Sequence, residues 1–295
     1  MKKTLKRMTA AFAAAVMIAA GTVPASAAGL PKYESYDHSR TTWLSMEQYN
    51  TFMNAVRQSA VTGAGTDGNY FDTGIRFSTY EEGAGVAHLL GHLFPTRGLS
   101  VLCNNGWSGI TLTCDDCGDG ESYHYYGDSS ENYGKIYACW KSYADPATEL
   151  LKVDATDAVL AQVLAAAPAE LYERCKFFHD WIINNFSYDR SLVNNDMYSL
   201  VCLGSSTCRG YADAFLRLCY FSGIDSALTG VVTENNQTKD ADHYRNAIMV
   251  DGHWYMVDTT WDDLNVSPGI RYDYFWYPAN EKWQNFLNGP FLVFV

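Results

Sequence analysis

Between residues 42 and 59 the apolar side chains Trp43, Met46, Tyr49, Met53 and Val56 recur every three or four positions, which gives a helix one apolar face. Residues 70–79 alternate as a strand does. Residues 81–94 return to helical spacing until Pro95 stops them. Residues 99–103, 109–114 and 136–143 read as strands of a small sheet, whereas 61–69 and 115–132, rich in Gly with Thr or Asp, read as loops. Near Asp154 the composition changes. An alanine-rich stretch over 155–167 leads into 170–186, where Leu171, Cys175, Phe178, Ile182 and Phe186 form a helical stripe. A loop at 194–196, a helix opening at Cys208 and a run of strands from Ser226 onward complete the pattern. Helices followed by an antiparallel sheet predict an α+β fold. The change of composition divides it into a companion region over 28–152, itself a small α/β arrangement, and a second domain over 153–295.

The first 27 residues stand apart from this pattern. Lys2, Lys3, Lys6 and Arg7 precede an apolar stretch from Met8 to about Ala20, and Ala25-Ser26-Ala27 supplies the small residues of a cleavage site. This is the pattern of an export signal cut after Ala27, and its apolar stretch is short of the ~20 residues a spanning helix needs. A secreted protein without membrane insertion is therefore expected. The whole chain carries a formal charge of −12; losing the leader's four basic residues makes it −16, which disfavours nucleic acid and other polyanions as partners. Eight cysteines in an exported chain suggest disulfides, with a pairing that spacing does not determine.

Chemistry gathers in two segments. In the first, Ser205-Ser206-Thr207 precedes the helix that opens at Cys208, so one of the three hydroxyls is expected to cap it. The helix should end near Ser222 with Gly223 as its stop, and Arg209, Asp213 and Arg217 should form a narrow charged ridge on an otherwise buried cylinder. A thiol in the first turn lies in the positive end of the helix dipole beside free N–H groups, which favours thiolate and can hold an oxyanion. A packed structural thiol fits the same position, and this helix alone does not choose between the two.

The second segment is a hairpin turning at Asp251-Gly252. With Val250 facing His253, Arg245 lies opposite Asp258 and His243 opposite Thr260, so all four share one face. His243 and Asp258 become diagonal neighbours about 7–8 Å apart along the backbone, a span their side chains can close. A carboxylate there can orient the imidazole toward a thiol. Arg245 is the competing partner for Asp258.

Taken together, Cys208-Arg209-Gly210-Tyr211-Ala212, His243 to Asn246, Asp251-Gly252-His253-Trp254-Tyr255 and Val257-Asp258-Thr259-Thr260-Trp261 resemble the bacterial transglutaminase-like superfamily. His179-Asp180-Trp181-Ile182, Asn185 to Asp189 and Tyr272 to Phe275 add to the resemblance, which runs from about Glu170 to Phe286. It implies a papain-like core and a triad of Cys208 as nucleophile, His243 as base and Asp258 as orienter. It also implies an oxyanion hole formed by the Cys208 N–H and a donor upstream, which no side chain in the sequence marks. The substrate would be a protein or peptide, with no cofactor and no metal. Where the family commonly has Trp two residues after its His, this chain has Arg245. Trp261 is expected to pack beneath the sheet beside Asp258.

Nothing in the sequence marks an amine-binding site, so hydrolysis is favoured over protein cross-linking by amine transfer. A non-catalytic binding module that keeps the fold is the alternative from another class; a Cys202–Cys208 disulfide would favour it. Among other signals, Cys114-Asp115-Asp116-Cys117 lacks the second pair of a zinc site, and 115–120 lacks calcium-loop spacing. His88 and His92 share a helix face without the Glu of a metalloprotease and read as surface residues. His179 reads as a packed structural residue. The companion region names no ligand and is expected to shape the cleft.

Overall fold

The computed structural model describes residues 34–66, 69–104, 110–113, 124–125, 134–232, 243–263 and 272–289. The leader, the Cys114/Cys117 pair and the acidic turn at 115–120 lie outside these residues.

The chain enters as strand β1 (Glu34–Arg40), turns through a 3-10 helix at Thr41–Trp43 and continues as α1 (Met46–Thr62). Ser45 accepts from the Gln48 N–H while the Gln48 side chain returns to the Ser45 N–H, so the reciprocal cap starts α1 later than periodicity predicts. Met46 is thereby left half-exposed, while Tyr49, Phe52, Met53 and Val56 are buried. Strand β2 (Phe71–Arg76), helix α2 (Tyr80–Leu93), β3 (Leu99–Asn104), β4 (Ile110–Thr113), β5 (His124–Tyr125) and β6 (Lys135–Trp140) follow. Their strands form one antiparallel sheet in the order β2-β6-β3-β4-β5.

Helix α3 (Pro146–Ala166) starts on an Asp145 cap with proline in its first turn, and α4 (Leu171–Asn185) follows. The boundary expected between residues 152 and 153 falls inside α3, and residues 31–295 form one compact unit. After β7 (Ser187–Tyr188), a π-helix at Ser199–Leu203 and β8 (Ser205–Ser206) comes α5 (Cys208–Phe221), ending at Ser222 with Gly223 at φ 68°, as its sequence predicts. Strands β9 (Ser226–Val232), β10 (His243–Val250) and β11 (His253–Val257) are followed by a one-turn helix α6 (Thr259–Asp262), β12 (Phe275–Pro278) and α7 (Glu281–Asn288). The final stretch is thus not all strand.

The second sheet runs β1-β9-β10-β11-β12, so a strand from the start of the chain completes the sheet that carries the hairpin. In that hairpin Val250 pairs with His253 and Asn246 with Val257, the register the Asp251-Gly252 turn predicts, and both turn residues take positive φ (49° and 82°). Helix α5 is wedged between the elements. Its Ala212, Leu216 and Tyr220 join a core with Phe52, Leu90 and Ile136, while Tyr211, Phe215 and Leu218 join another with Phe178, Ile182 and Val257. On the far face of the second sheet, Trp283 and Leu287 of α7 pack on Val231, Ala247 and Trp254. The class is α+β. No helix among the described residues is long and apolar enough to cross a membrane.

Candidate active site

The start of α5 is held from behind. The short parallel ladder of β7 and β8 pairs Ser187 with Ser205 and Tyr188 with Ser206, and the Thr207 N–H donates to Asn194 O at 2.9 Å. The Ser206 hydroxyl donates to Asn194 O or Asp196 O rather than to the helix, and Thr207 makes no side-chain cap. The expected hydroxyl cap is therefore absent: the Ser205 and Ser206 hydroxyls bond within the preceding loop, and Thr207 at the cap position does not turn its hydroxyl to the helix. That leaves the first N–H groups of α5 without a capping side chain, next to a half-buried Cys208. Gly210 permits this fit, since a Cβ there would lie 2.3 Å from Ser206 Oγ and 2.5 Å from Asp196 O. The loop before it is pinned by Asp189, whose carboxylate accepts from the N–H groups of Ser191 and Asn194 and from the Ser191 hydroxyl, holding Asp189 below the ordinary carboxylate range.

At the head of β10, His243 is 5% exposed and its Nε2 lies 2.6 Å from Asp258 Oδ2. Asp258 ends β11 by capping α6: its Oδ1 accepts from the Trp261 N–H at 3.1 Å, and its own N–H donates to Tyr274 O at 2.9 Å. One carboxylate thus both starts a helix and faces the imidazole. Nε2 is turned to Asp258, and the Cys208 thiol is the other group that acts on this imidazole. Burial pushes the imidazole down, but Asp258 and then the Cys208 thiol override it and hold His243 up at about 10. Trp261 stacks on the imidazole with centroids 4.9 Å apart and planes 15° apart. The indole therefore packs on the His243 ring itself. Arg245, two residues after His243, turns away: Nη1 donates to Tyr277 Oη at 2.8 Å and the guanidinium lies 4.5 Å from the Trp283 ring.

A second layer lies beneath. His179 is fully buried, with Nδ1 3.0 Å from Asp180 Oδ1 and Nε2 3.1 Å from Asp262 Oδ2, and its ring stacks on Tyr272. Burial lowers its pKa, and the two carboxylates more than reverse that. Asp262 also accepts from the Tyr274 N–H. His179 braces α6 and the strand after it, the packed role expected of it.

Two expectations fail on the side facing α2. His88 and His92 are 6% and 0% exposed, not surface residues, because Ser39 of β1 hydrogen-bonds His88 and Asp213 of α5 meets His92. The Arg209-Asp213-Arg217 ridge is likewise internal: Arg217 is fully buried, bonds Asp157 at 2.6 Å and donates to Leu93 O. Cys202 lies 3.8 Å from Thr156 Oγ, and its sulfur and that of Cys208 are both free thiols. Among the described residues no group of three or more His, Cys, Asp and Glu is placed to hold a metal ion. The residue that sequence reasoning missed is Tyr188. It is registered two residues ahead of Cys208 by the β7–β8 ladder, its ring packs 6.5 Å from Tyr211, and burial followed by the charge of Cys208 raises its phenol. It lies in the segment before Cys208, where a two-residue ladder leaves no periodicity to read.

Residues 158–259 match the model of the Transglutaminase-like superfamily. Kyphoscoliosis peptidase of Homo sapiens is 23% identical over 168 residues, which are 47% of this chain and 25% of that one. The Mus musculus protein of the same name is 24% identical over 156 residues, 43% of this chain and 23% of that one. The match spans about a quarter of the length of these curated relatives. Among solved structures, a TGase is 13% identical, with 46% of this chain and 43% of that one covered and a TM-score of 0.31. The periplasmic domain of TgpA from Pseudomonas aeruginosa bound to ethylmercury is 15% identical, with 56% and 65% covered and a TM-score of 0.30. Residues 158–259, which include Cys208, His243 and Asp258, are the part that matches the superfamily's model, and the fold around them is transglutaminase-like.

Proposed function

We propose that this chain is an exported, thiol-dependent acyl-transfer enzyme that hydrolyses peptide or glutamine carboxamide bonds. The observation that supports this best is the imidazole of His243, held between the Asp258 carboxylate at 2.6 Å and the Cys208 thiol at the mouth of an uncapped helix. His243 takes the thiol proton and keeps it, the ion pair its raised pKa favours. The sulfur attacks the carbonyl carbon, a C–S bond forms and the carbonyl oxygen becomes an oxyanion. When the C–N bond breaks, His243 passes its proton to the leaving amine or ammonia. Water then attacks the thioester, gives its proton to His243 and releases the acid, and the proton returns to sulfur.

For the oxyanion we assign the Cys208 N–H and the Tyr188 hydroxyl. That hydroxyl makes no hydrogen bond to a described residue, and the charge of Cys208 helps keep it protonated and able to donate. Tyr188→Phe should lower kcat by roughly 10²-fold with little change in KM. An unchanged kcat would remove Tyr188 from this role.

The reaction itself is tested by incubating the protein with an unfolded protein and with a glutamine-containing peptide, each with and without a fluorescent primary amine. New chain termini or free ammonia in the absence of amine support hydrolysis. Incorporation of the amine identifies a transglutaminase instead. Absence of every product, together with alkylation of Cys208 that follows an ordinary thiol, would leave a binding module.

A further inference from the structure

Near Cys208 a ring of side chains links α2, α5 and β10. His92 of α2 places Nδ1 2.7 Å from Asp213 Oδ1. Asp213, one and a half turns along α5 from the thiol and 2% exposed, meets Arg209 Nε through Oδ2 at 3.5 Å. The Arg209 guanidinium lies 5.8 Å from the ring of Tyr244, and the Tyr244 ring lies 5.2 Å from that of His92, which closes the circuit. Arg209 is the residue after the nucleophile and Tyr244 is the residue after the base.

Stability does not account for this ring. A buried Asp and His and a largely buried Arg each lose hydration, and well-packed apolar side chains of similar size are often as stable or more so. What fixed side-chain contacts supply is register. The His92–Asp213 bond ties α2 to α5, the contacts of Arg209 and His92 with the Tyr244 ring carry that tie to β10 next to His243, and Asn246 Nδ2 donates to Ala212 O at 3.1 Å further along, so helix and strand are held at two points. A helix tied at two points cannot rotate or slide on its strand without breaking one of them. The separation of Sγ from the imidazole depends on that freedom. His88, whose ring is 4.6 Å from that of His92, continues the ring to Ser39 of β1. The charged and titratable groups facing Asp213 are thus His88 and His92 of α2, Arg209 of α5 and Arg97 beyond α2, with Tyr244 of β10 across the ring.

We propose that His92 and Asp213 are positioning residues that fix α5 against β10 and thereby hold Cys208 within reach of His243. This rests on the acyl-transfer reading and deepens it: α2, from the region whose sequence names no ligand, becomes part of the reacting site's frame.

The test is the rate of Cys208 alkylation by iodoacetamide at pH 6 relative to pH 9, with kcat and KM, in the full chain and in His92→Leu, His92→Asn and Asp213→Asn. The pH 9 rate reports access to the sulfur, and the ratio reports its pairing with His243. In His92→Leu the ratio and kcat should both fall between about ten- and a hundredfold, with KM within about twofold of the parent. His92→Asn, whose amide can donate or accept where Nδ1 now meets Asp213, should recover most of both. If the buried variants fail to fold, Arg209→Gln breaks the same ring at its partly exposed member and should lower the ratio in the same direction. A folded His92→Leu or Arg209→Gln protein with the parental ratio overturns the positioning role and leaves the reaction intact. A parent protein whose thiol already behaves ordinarily overturns both.

Discussion

Changing His243 to Ala is expected to lower turnover by roughly 10⁴-fold or more, and to abolish alkylation of Cys208 at pH 6 while sparing it at pH 9. Alone, a cysteine is mostly protonated at pH 6. Here His243 carries a proton because burial, which opposes it, is outweighed by Asp258 and the thiol, and its pKa reaches about 10. The sign then follows. The folded protein holds this proton more tightly than an unfolded chain, whose histidine titrates near 6.5. The stability contributed by the imidazolium is therefore complete below pH 6.5 and declines as pH rises toward and through about 10. The pairing it offers sulfur fades over the same upper limit. Turnover should persist from neutral pH up to that limb and fall above it, with the fall missing in His243→Ala. A parent activity that already collapses between pH 7 and 8 would contradict the ion pair.

Asp258→Asn should cost about as much, roughly 10⁴-fold in kcat, with the fold retained. Asn can still accept from the Trp261 N–H through its carbonyl oxygen and so start α6, which keeps the local chain in place. Its amide would then face Nε2 of His243 as a donor where Oδ2 now accepts, favouring the opposite tautomer and withdrawing the charge that holds the imidazolium. Circular dichroism and thermal melting close to the parent, beside a collapsed kcat, is the expected combination. A variant within tenfold of the parent would reduce Asp258 to a helix cap.

What could be read in advance divides along the range of the interactions involved. The hairpin that brings His243 to Asp258 is specified locally: Asp251-Gly252 sets the turn, the turn sets the register, and alternation assigns the faces. Helix α5 is legible for a similar reason, with its apolar circumference written within fourteen residues and its stop, Gly223, two residues beyond them. His88 and His92 were not legible, because nothing near them in the chain tells that Ser39 and Asp213 wait on other elements. The missing cap of α5 was hidden too: Ser206 has the right chemistry, and only the loop folded behind it shows that its hydroxyl is spent. The sequence places Trp261 beside Asp258, which its N–H meets, but not on the imidazole, where the one-turn helix after Asp258 swings the indole. Helix α7 went unread because eight residues give two turns of periodicity, too little against the strands around it.

The pairing of β1 with β9 bears on how the reacting half could travel between proteins. Residues 158–259 hold the thiol, the imidazole and the carboxylate, but excised alone they would leave β9 as a bare sheet edge and strip the partners of Ala212, Leu216 and Tyr220 from one flank of α5. A gene fusion cut at those borders would inherit the motif without the wall that shapes it. Any functional graft of this site into another polypeptide has to take the strand from Glu34 to Arg40 and helix α2 along, or supply replacements for both.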